Sequence, residues 1–156
     1  MRPTTRNFAL LGAAALLFTC PLFSHAQDKG AWRSSSSTAN SITGDIAISN
    51  DKLSINFALY TIADIRKLQP AEGAALFNTD PNAPGGGNLY RLDIPGTKRF
   101  VHHNTLCGNE DVQWMTSYSQ GRDLHVAFFS GSKMPDLTPD ALANSTDLCG
   151  TFTYSR

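Results

Sequence analysis

The stretch Ser41-Ile-Thr-Gly-Asp-Ile-Ala-Ile-Ser49 alternates apolar residues with small or polar ones, and Leu53-Ser-Ile-Asn-Phe-Ala-Leu-Tyr60 repeats the alternation after Asn50-Asp51. A period of two is typical of a strand that buries one face. Asn and Asp between two such runs favour a turn. The pair therefore predicts an antiparallel hairpin whose apolar face carries Ile42, Ile46, Ile48, Leu53, Ile55, Phe57 and Leu59.

Further strands are predicted toward the C-terminus, at Leu89–Ile94, Lys98–Cys107, Asp111–Tyr118, Asp123–Ser130 and Leu148–Tyr154. The segment Asp123–Ser130 is apolar on both faces, which indicates a central position in the sheet. About seven or eight strands with little helix predict an all-β fold, a small antiparallel barrel or sandwich. The length of 156 residues suits a single domain, expected at residues 41–156 after a polar segment at 27–40.

The middle of the chain gives weaker signals. A helical turn is predicted at residues 62–68, ended by Pro70, and a short strand at Ala74–Phe77. The segment Asn78–Asn88 contains two prolines and three consecutive glycines, so we predict an exposed flexible loop there. Another helical turn is predicted at Thr138–Ala143, with Thr138 as its N-cap.

The first 26 residues have the three parts of a secretory signal. Two arginines precede the apolar run Phe8–Phe18, and Ser24-His25-Ala26 places small residues at the −3 and −1 positions of a cleavage site. We expect cleavage after Ala26 and export to the periplasm or the medium, without a membrane span in the mature form. Processing as a lipoprotein at Cys20 is a weaker alternative, because the residues beside Cys20 suit that cleavage poorly.

Cleavage after Ala26 would leave two cysteines, Cys107 and Cys149, each followed by glycine. An even count in an oxidising compartment predicts one disulfide, and the repeated Cys-Gly suggests two adjacent strand positions. The alternative, a catalytic thiol with a neighbouring histidine as base, is disfavoured because the second cysteine would oxidise it. If the disulfide lies outside the sheet, Phe100, His102, Asn104 and Leu106 face the interior on one strand, and Leu148, Phe152 and Tyr154 on the other. His102 and Asn104 are then candidate contacts for an interior ligand, or buried polar groups bonded to backbone.

The element Gly30-Ala31-Trp32, just before the first predicted strand, resembles the Gly-x-Trp element of lipocalins and other calycins. In that group the tryptophan closes one end of an up-and-down barrel, often packed under an arginine from the last strands. The resemblance implies that Arg156 packs on Trp32 by a cation–π contact and that the barrel interior is a candidate site for a small ligand. The polar run at 34–40 departs from the pattern, since it shortens the first strand.

No residue pattern in the sequence indicates catalysis, a cofactor or a metal. His102 and His103 are adjacent, so on a strand they point to opposite faces and cannot chelate one ion together. No pair of carboxylates lies in an apolar setting, and there is no Gly-x-Ser-x-Gly element. After cleavage the chain would carry 11 basic and 13 acidic residues without a basic stripe, so we do not expect a nucleic-acid partner.

Two functions remain as hypotheses. The first is a non-catalytic exported protein that binds another periplasmic protein through its loops, as an inhibitor or immunity-type protein. The size of the chain and its single predicted disulfide are similar to those of small periplasmic lysozyme inhibitors. The candidate loop residues are Asn82, Gly86, Asn109, Glu110, Lys133 and Met134. The second is a calycin-like carrier of a small ligand. Large aromatic side chains in so small a barrel would fill its interior and count against the carrier.

Overall fold

The structure is a computed structural model that describes residues 27–156, so the predicted signal segment and Cys20 lie outside the described residues. A 3-10 turn lies at Val101–His103. The three short helices are α1 (Ser37–Ile42), α2 (Pro70–Phe77) and α3 (Pro139–Ala143). The strands are β1 (Gly30–Ser34), β2 (Ile46–Ile48), β3 (Lys52–Ile55), β4 (Ala58–Thr61), β5 (Ala63–Lys67), β6 (Gly85–Ile94), β7 (Val112–Gln120), β8 (Asp123–Phe129) and β9 (Leu148–Ser155).

The nine strands form one antiparallel sheet in the order β4-β3-β2-β1-β9-β8-β7-β6-β5. Strand β1 belongs to both halves, because residues 30–32 pair with β2 and residues 33–34 pair with β9. Strands β4 and β5 lie at opposite ends of this order, yet only Ile62 separates them in the chain. The sheet is not closed by pairing between them. The predicted all-β fold is confirmed in its sandwich-like form.

The main core lies between the two halves of the sheet. It is filled by large side chains that are almost wholly buried, so the interior is packed. Its aromatic members are Trp32, Tyr90, Phe100, Phe128, Phe152 and Tyr154. Phe128 and Phe152 meet edge to face, with ring centroids 5.4 Å apart.

A second core lies on the outer face of β6, β7 and β8, under α2 and α3. Leu89, Trp114, Tyr118 and Phe129 form its floor, and side chains of the two helices pack against it. Strand β8 is therefore buried on both faces and lies between β7 and β9, as its sequence predicted.

The predicted first hairpin is correct only around Asn50-Asp51. Ser41 and Ile42 belong to α1, and the strand that begins at Lys52 ends at Ile55. A two-residue turn at Asn56-Phe57 then reverses the chain and pairs Ile55 with Ala58. This turn shifts the alternation by one residue, because Ile55 and Ala58 are directly paired across it. Tyr60 and Ile62 pack on the core in place of Phe57 and Leu59, which are exposed.

Four predictions for the middle of the chain are wrong. Residues 63–67 form strand β5 with a bulge between Asp64 and Arg66, which produced the helix-like spacing of apolar residues. Pro70 begins α2 at a first-turn position, and Ala74–Phe77 belongs to that helix. The three glycines start β6, opposite residues 118–120 of β7. The segment from Lys98 to Cys107 contains the 3-10 turn and no strand.

The predicted disulfide joins Cys107 and Cys149, whose Cα atoms are 4.8 Å apart. Cys149 lies in β9, but Cys107 lies in the irregular segment before β7, so the two are not adjacent strand positions. The bridge ties the connection between β6 and β7, which has no strand pairing of its own, to the last strand.

We expect the Cys107→Ser, Cys149→Ser double variant to lose about 4 kcal/mol of unfolding free energy, because the 42-residue loop is no longer closed in the unfolded chain. Urea unfolding of the variant and the oxidised wild type measures the difference. The reduced wild type is the control and should match the double variant. Equal midpoints for the oxidised wild type and the variant would contradict this prediction.

Candidate functional site

Three features could carry function: the segment before β1, the predicted loops, and the β3–β4 hairpin. In the first, Arg156 lies over the ring of Trp32, with its guanidinium carbon 4.1 Å from the ring centroid. The same guanidinium donates to the backbone carbonyls of Gln27 (3.0 Å) and Lys29 (3.3 Å). The Trp32 indole N–H donates to the carbonyl of Asp28 at 2.9 Å. The end of the chain therefore fixes residues 27–29 against the sheet.

These contacts place the carboxylate of Asp28, which is only 3% exposed, among three donors. Its Oδ2 accepts from the Tyr90 hydroxyl at 2.6 Å, from the Asn88 amide at 2.9 Å and from the Ser117 hydroxyl. Lys29 donates to the Tyr90 hydroxyl oxygen at 2.8 Å. A buried carboxylate surrounded by donors in this way is satisfied, and it rigidifies the segment that carries it.

Burial and the hydrogen bond to Asp28 raise the pKa of Tyr90 far above its ordinary value. The phenol therefore keeps its proton and acts as a donor to the carboxylate. All the polar groups of this cluster are turned toward one another, so it has the properties of a structural anchor. We assign it no catalytic role.

Replacing Asp28 with Ala should lower the unfolding free energy by about 3 kcal/mol, because three buried donors would lose their acceptor. Thermal or urea unfolding measures the loss. Asp93→Ala is the matched control, since Asp93 is exposed on β6, and its effect should stay within about 0.5 kcal/mol. An Asp28→Ala variant as stable as this control would show that the cluster does not anchor the segment.

The candidate interior contacts His102 and Asn104 are both exposed, so the prediction that they face the interior is wrong. His102 and His103 have positive φ in the 3-10 turn, and the strand alternation that would have turned His102 inward is absent. The Asn104 amide donates to the carbonyl of Ser41 at 2.8 Å, which joins this segment to α1. Phe100 and Leu106 are buried, as predicted.

The candidate loop residues fall into two groups. Asn82, Asn109, Glu110, Lys133 and Met134 are exposed in turns or irregular segments. Gly86 does not belong to a loop, since it pairs with Ser119 in the sheet. Met134 is the one large apolar side chain of this set, and it is 53% exposed.

The β3–β4 hairpin carries a more prominent apolar surface, which sequence reasoning placed in the core. Phe57 at its tip is 99% exposed and Leu59 is 70% exposed. Asn56 and Phe57 both have positive φ, 47° and 65°, as a tight type I′ hairpin requires. Asn56 adopts such angles readily, but a bulky residue such as Phe57 rarely does. The signal that could have identified the turn is Asn56, a favoured first residue of such hairpins.

Leu59 lies at the end of a row of small side chains across the outer face of β1–β4. The pairing places Ala31 beside Ala47, Ala47 beside Ser54, and Ser54 beside Leu59. None of the helices within residues 27–156 covers this face, in contrast to the outer face of β6–β8, where α2 and α3 pack. We call Phe57, Leu59, Ala31, Ala47 and Ser54 the hairpin face.

No group of three or more His, Cys, Asp or Glu side chains that could hold a metal ion occurs within residues 27–156.

His125 stacks on Phe77 at a centroid distance of 5.5 Å, and burial lowers the pKa of its imidazole. No helix within residues 27–156 is long and apolar enough to cross a membrane.

Comparisons of the chain with protein-family models, with curated proteins and with solved structures give no match. The calycin resemblance therefore stays a prediction that rests on Gly30-Ala31-Trp32 and Arg156, whose cation–π contact is present.

Proposed function

We propose that the chain is an exported, non-catalytic protein that binds another protein through the hairpin face, with Phe57 as the anchor residue. The observation that carries the proposal is the combination of full exposure and unfavourable backbone geometry at Phe57. A side chain that is 99% exposed gains no burial energy in the free protein. Aromatic anchors that fill a partner's pocket dominate the energy of many interfaces.

Phenylalanine is an unfavourable residue for the turn itself. Glycine at the second position of a type I′ turn avoids the clash between Cβ and backbone, which costs about 1 kcal/mol or more for other residues. Residues held in such conformations are concentrated at functional sites. Phe57 therefore costs stability through its backbone and gains none through its exposed ring, and a binding role gives the reason for both.

The rest of the hairpin face suits a partner that closes over it. The small side chains of Ala31, Ala47 and Ser54 leave a shallow floor beside Leu59, so an apolar partner surface can approach the sheet closely. The tight turn holds the two apolar residues on a regular hairpin, which limits the entropy lost on binding.

The proposal also includes export of the chain and a partner in the same compartment. The residues 1–26 have the pattern of a signal segment, and the disulfide is compatible with an oxidising compartment. An inhibitor or immunity-type protein of the periplasm would insert Phe57 into a concave apolar site of an enzyme or toxin. The packed interior and the exposed positions of His102 and Asn104 give no support to the alternative of an interior ligand carrier.

Phe57→Gly should raise the unfolding free energy by about 1 kcal/mol, because it relieves the positive-φ strain and removes no buried contact. Urea unfolding measures this change. Asn56→Gly is the matched control and should give a smaller change, since asparagine tolerates positive φ. A clear loss of stability in Phe57→Gly would show that the ring packs in the free protein and would remove the argument for an anchor.

Binding is tested by replacing Phe57 with the photoreactive aromatic p-benzoylphenylalanine in the cells that make the protein, and irradiating them. We expect a cross-linked product with a single protein, identified by mass spectrometry, and competition by added wild-type protein. Added Phe57→Gly protein should not compete. The same probe at the exposed Asn109 is the control and should give no such product. Equal products from both positions, or none from position 57, would refute the hairpin as the binding surface.

A further inference from the structure

A groove of about 380 Å³ lies beside the tip of the β3–β4 hairpin. Asp45 and Phe57 belong to its walls, and Ala47 and Ser54 of the hairpin face belong to its floor. Asp45 is exposed and Phe57 is 99% exposed, so both side chains are accessible to another molecule. We call this feature the Asp45 groove. It places a carboxylate and an aromatic ring beside a row of small side chains.

The strand register puts the Asp45 side chain on the same outer face as the hairpin tip. Ile46, the first residue of β2, is buried in the main core, so the residue before it points away from the core. Ile46 pairs with Ile55, and continuing this register places Asp45 opposite Asn56, the first residue of the turn. The carboxylate therefore lies next to the turn that presents the aromatic ring.

Asp45 is held in place by Ser34, and one of its carboxylate oxygens has no partner within the described residues. Its Oδ1 accepts from the Ser34 N–H at 2.9 Å and from the Ser34 hydroxyl at 3.2 Å. The ion pair that residues 27–156 form within 4 Å joins Arg66 to Glu72, so Arg33, next to Ser34 on β1, does not pair with this carboxylate. Asp45 therefore presents a fixed negative charge with a free oxygen at the groove.

The proposed function sets a requirement on the partner at this point. A surface that closes over the hairpin face covers Ala47 and Phe57, and it excludes water from the Asp45 carboxylate beside them. Removing a charge from water is costly unless an opposite charge takes the place of the solvent. Because the described residues supply no such charge within 4 Å of Asp45, the partner has to supply it.

Among cationic side chains, arginine fits the Asp45 groove best. Its planar guanidinium stacks on aromatic faces, whereas the ammonium of lysine is a more strongly hydrated point charge. The same guanidinium donates charge-assisted hydrogen bonds to a carboxylate. The methylene stem of arginine can lie against a small apolar side chain such as Ala47.

We propose that the partner of the hairpin face inserts an arginine side chain into the Asp45 groove. The guanidinium donates to the free carboxylate oxygen of Asp45 and stacks on one face of the Phe57 ring, while the other face of the ring enters the apolar site of the partner. This inference rests on the proposed function, because it names the group that the partner presents beside Phe57.

The groove is tested by a ¹⁵N-HSQC titration of residues 27–156 with N-acetylargininamide. We expect weak, saturable shifts of the Gly44, Asp45 and Ala47 amide signals, which decrease at high salt because a charge pair is involved. N-acetylcitrullinamide is the matched neutral probe, with the same shape and no charge, and it should leave these signals in place. No saturable shift with the arginine probe, or equal shifts with both probes, would overturn the proposal.

Variants separate the two contacts of the guanidinium. Asp45→Asn keeps an oxygen acceptor for Ser34 and removes the charge, and it should weaken the affinity for the arginine probe by about tenfold. Phe57→Gly should also weaken it, through the loss of the stacked ring. Asp93→Asn, at an exposed carboxylate on β6, is the matched control and should bind like the wild type. An Asp45→Asn variant that binds as tightly as this control would overturn the proposal.

The cross-linking experiment distinguishes the failure of this inference from the failure of the proposed function. With the photoreactive residue at position 57, an added Asp45→Lys substitution should abolish the cross-linked product, because it places a like charge against the arginine of the partner. Asp93→Lys is the control and should leave the product unchanged. A product that persists in Asp45→Lys would overturn the arginine contact and leave the proposed function standing. The absence of any product from position 57 in the parent chain would refute the proposed function itself.

Discussion

The turn at Asn56-Phe57 decides which side chains of the next two strands face the core. Because two residues form the loop, Ile55 pairs directly with Ala58, and the inward positions become Tyr60 and Ile62. Ile62 then lies at the one-residue connection between the two ends of the sheet and is buried between its halves. Inserting or deleting one residue in this loop would turn Tyr60 and Ile62 outward. The connection between β4 and β5 would then have no side chain in the core.

The two outer faces of the sheet are unlike. Helices α2 and α3 cover β6–β8 with a second core, so the strands there are apolar on both sides. The outer face of β1–β4 carries small side chains, and no helix of the described part of the chain lies over it. The shifted alternation adds Leu59 and Phe57 to this bare face. The surface that we propose for binding is thus a direct consequence of the turn that sets the inner packing.

The sequence predicts some elements well because their signals are local. Strands β7, β8 and β9 are long runs with a clear period or with apolar residues on both faces, and the cysteine count is enough to predict the disulfide. The failures come from interactions between distant segments. Strand β6 requires a glycine at position 87 because a Cβ there would lie 1.7 Å from the Ser117 carbonyl oxygen of β7, and no local pattern reveals that neighbour. The bulge in β5 imitated a helical spacing, and Pro70 could end one helix or begin another. The alternation predicts a buried Phe57 because a period of two, continued through residues 53–60, contains no sign of the turn at Asn56-Phe57.

The proposed anchor rests on one physical argument, which is that Phe57 is a residue that the free protein would be more stable without. The Phe57 ring is exposed on a backbone with positive φ. Folded domains have only a small margin of stability, so a cost of about 1 kcal/mol at this turn is a sizeable fraction of it. The anchor cluster around Asp28 shows the opposite pattern, because the Asp28 Oδ2 atom accepts three hydrogen bonds from side chains of the same chain. A group whose interactions are complete in the free protein is explained by folding alone. In the proposed complex, the Phe57 ring would acquire the burial that it lacks in the free protein.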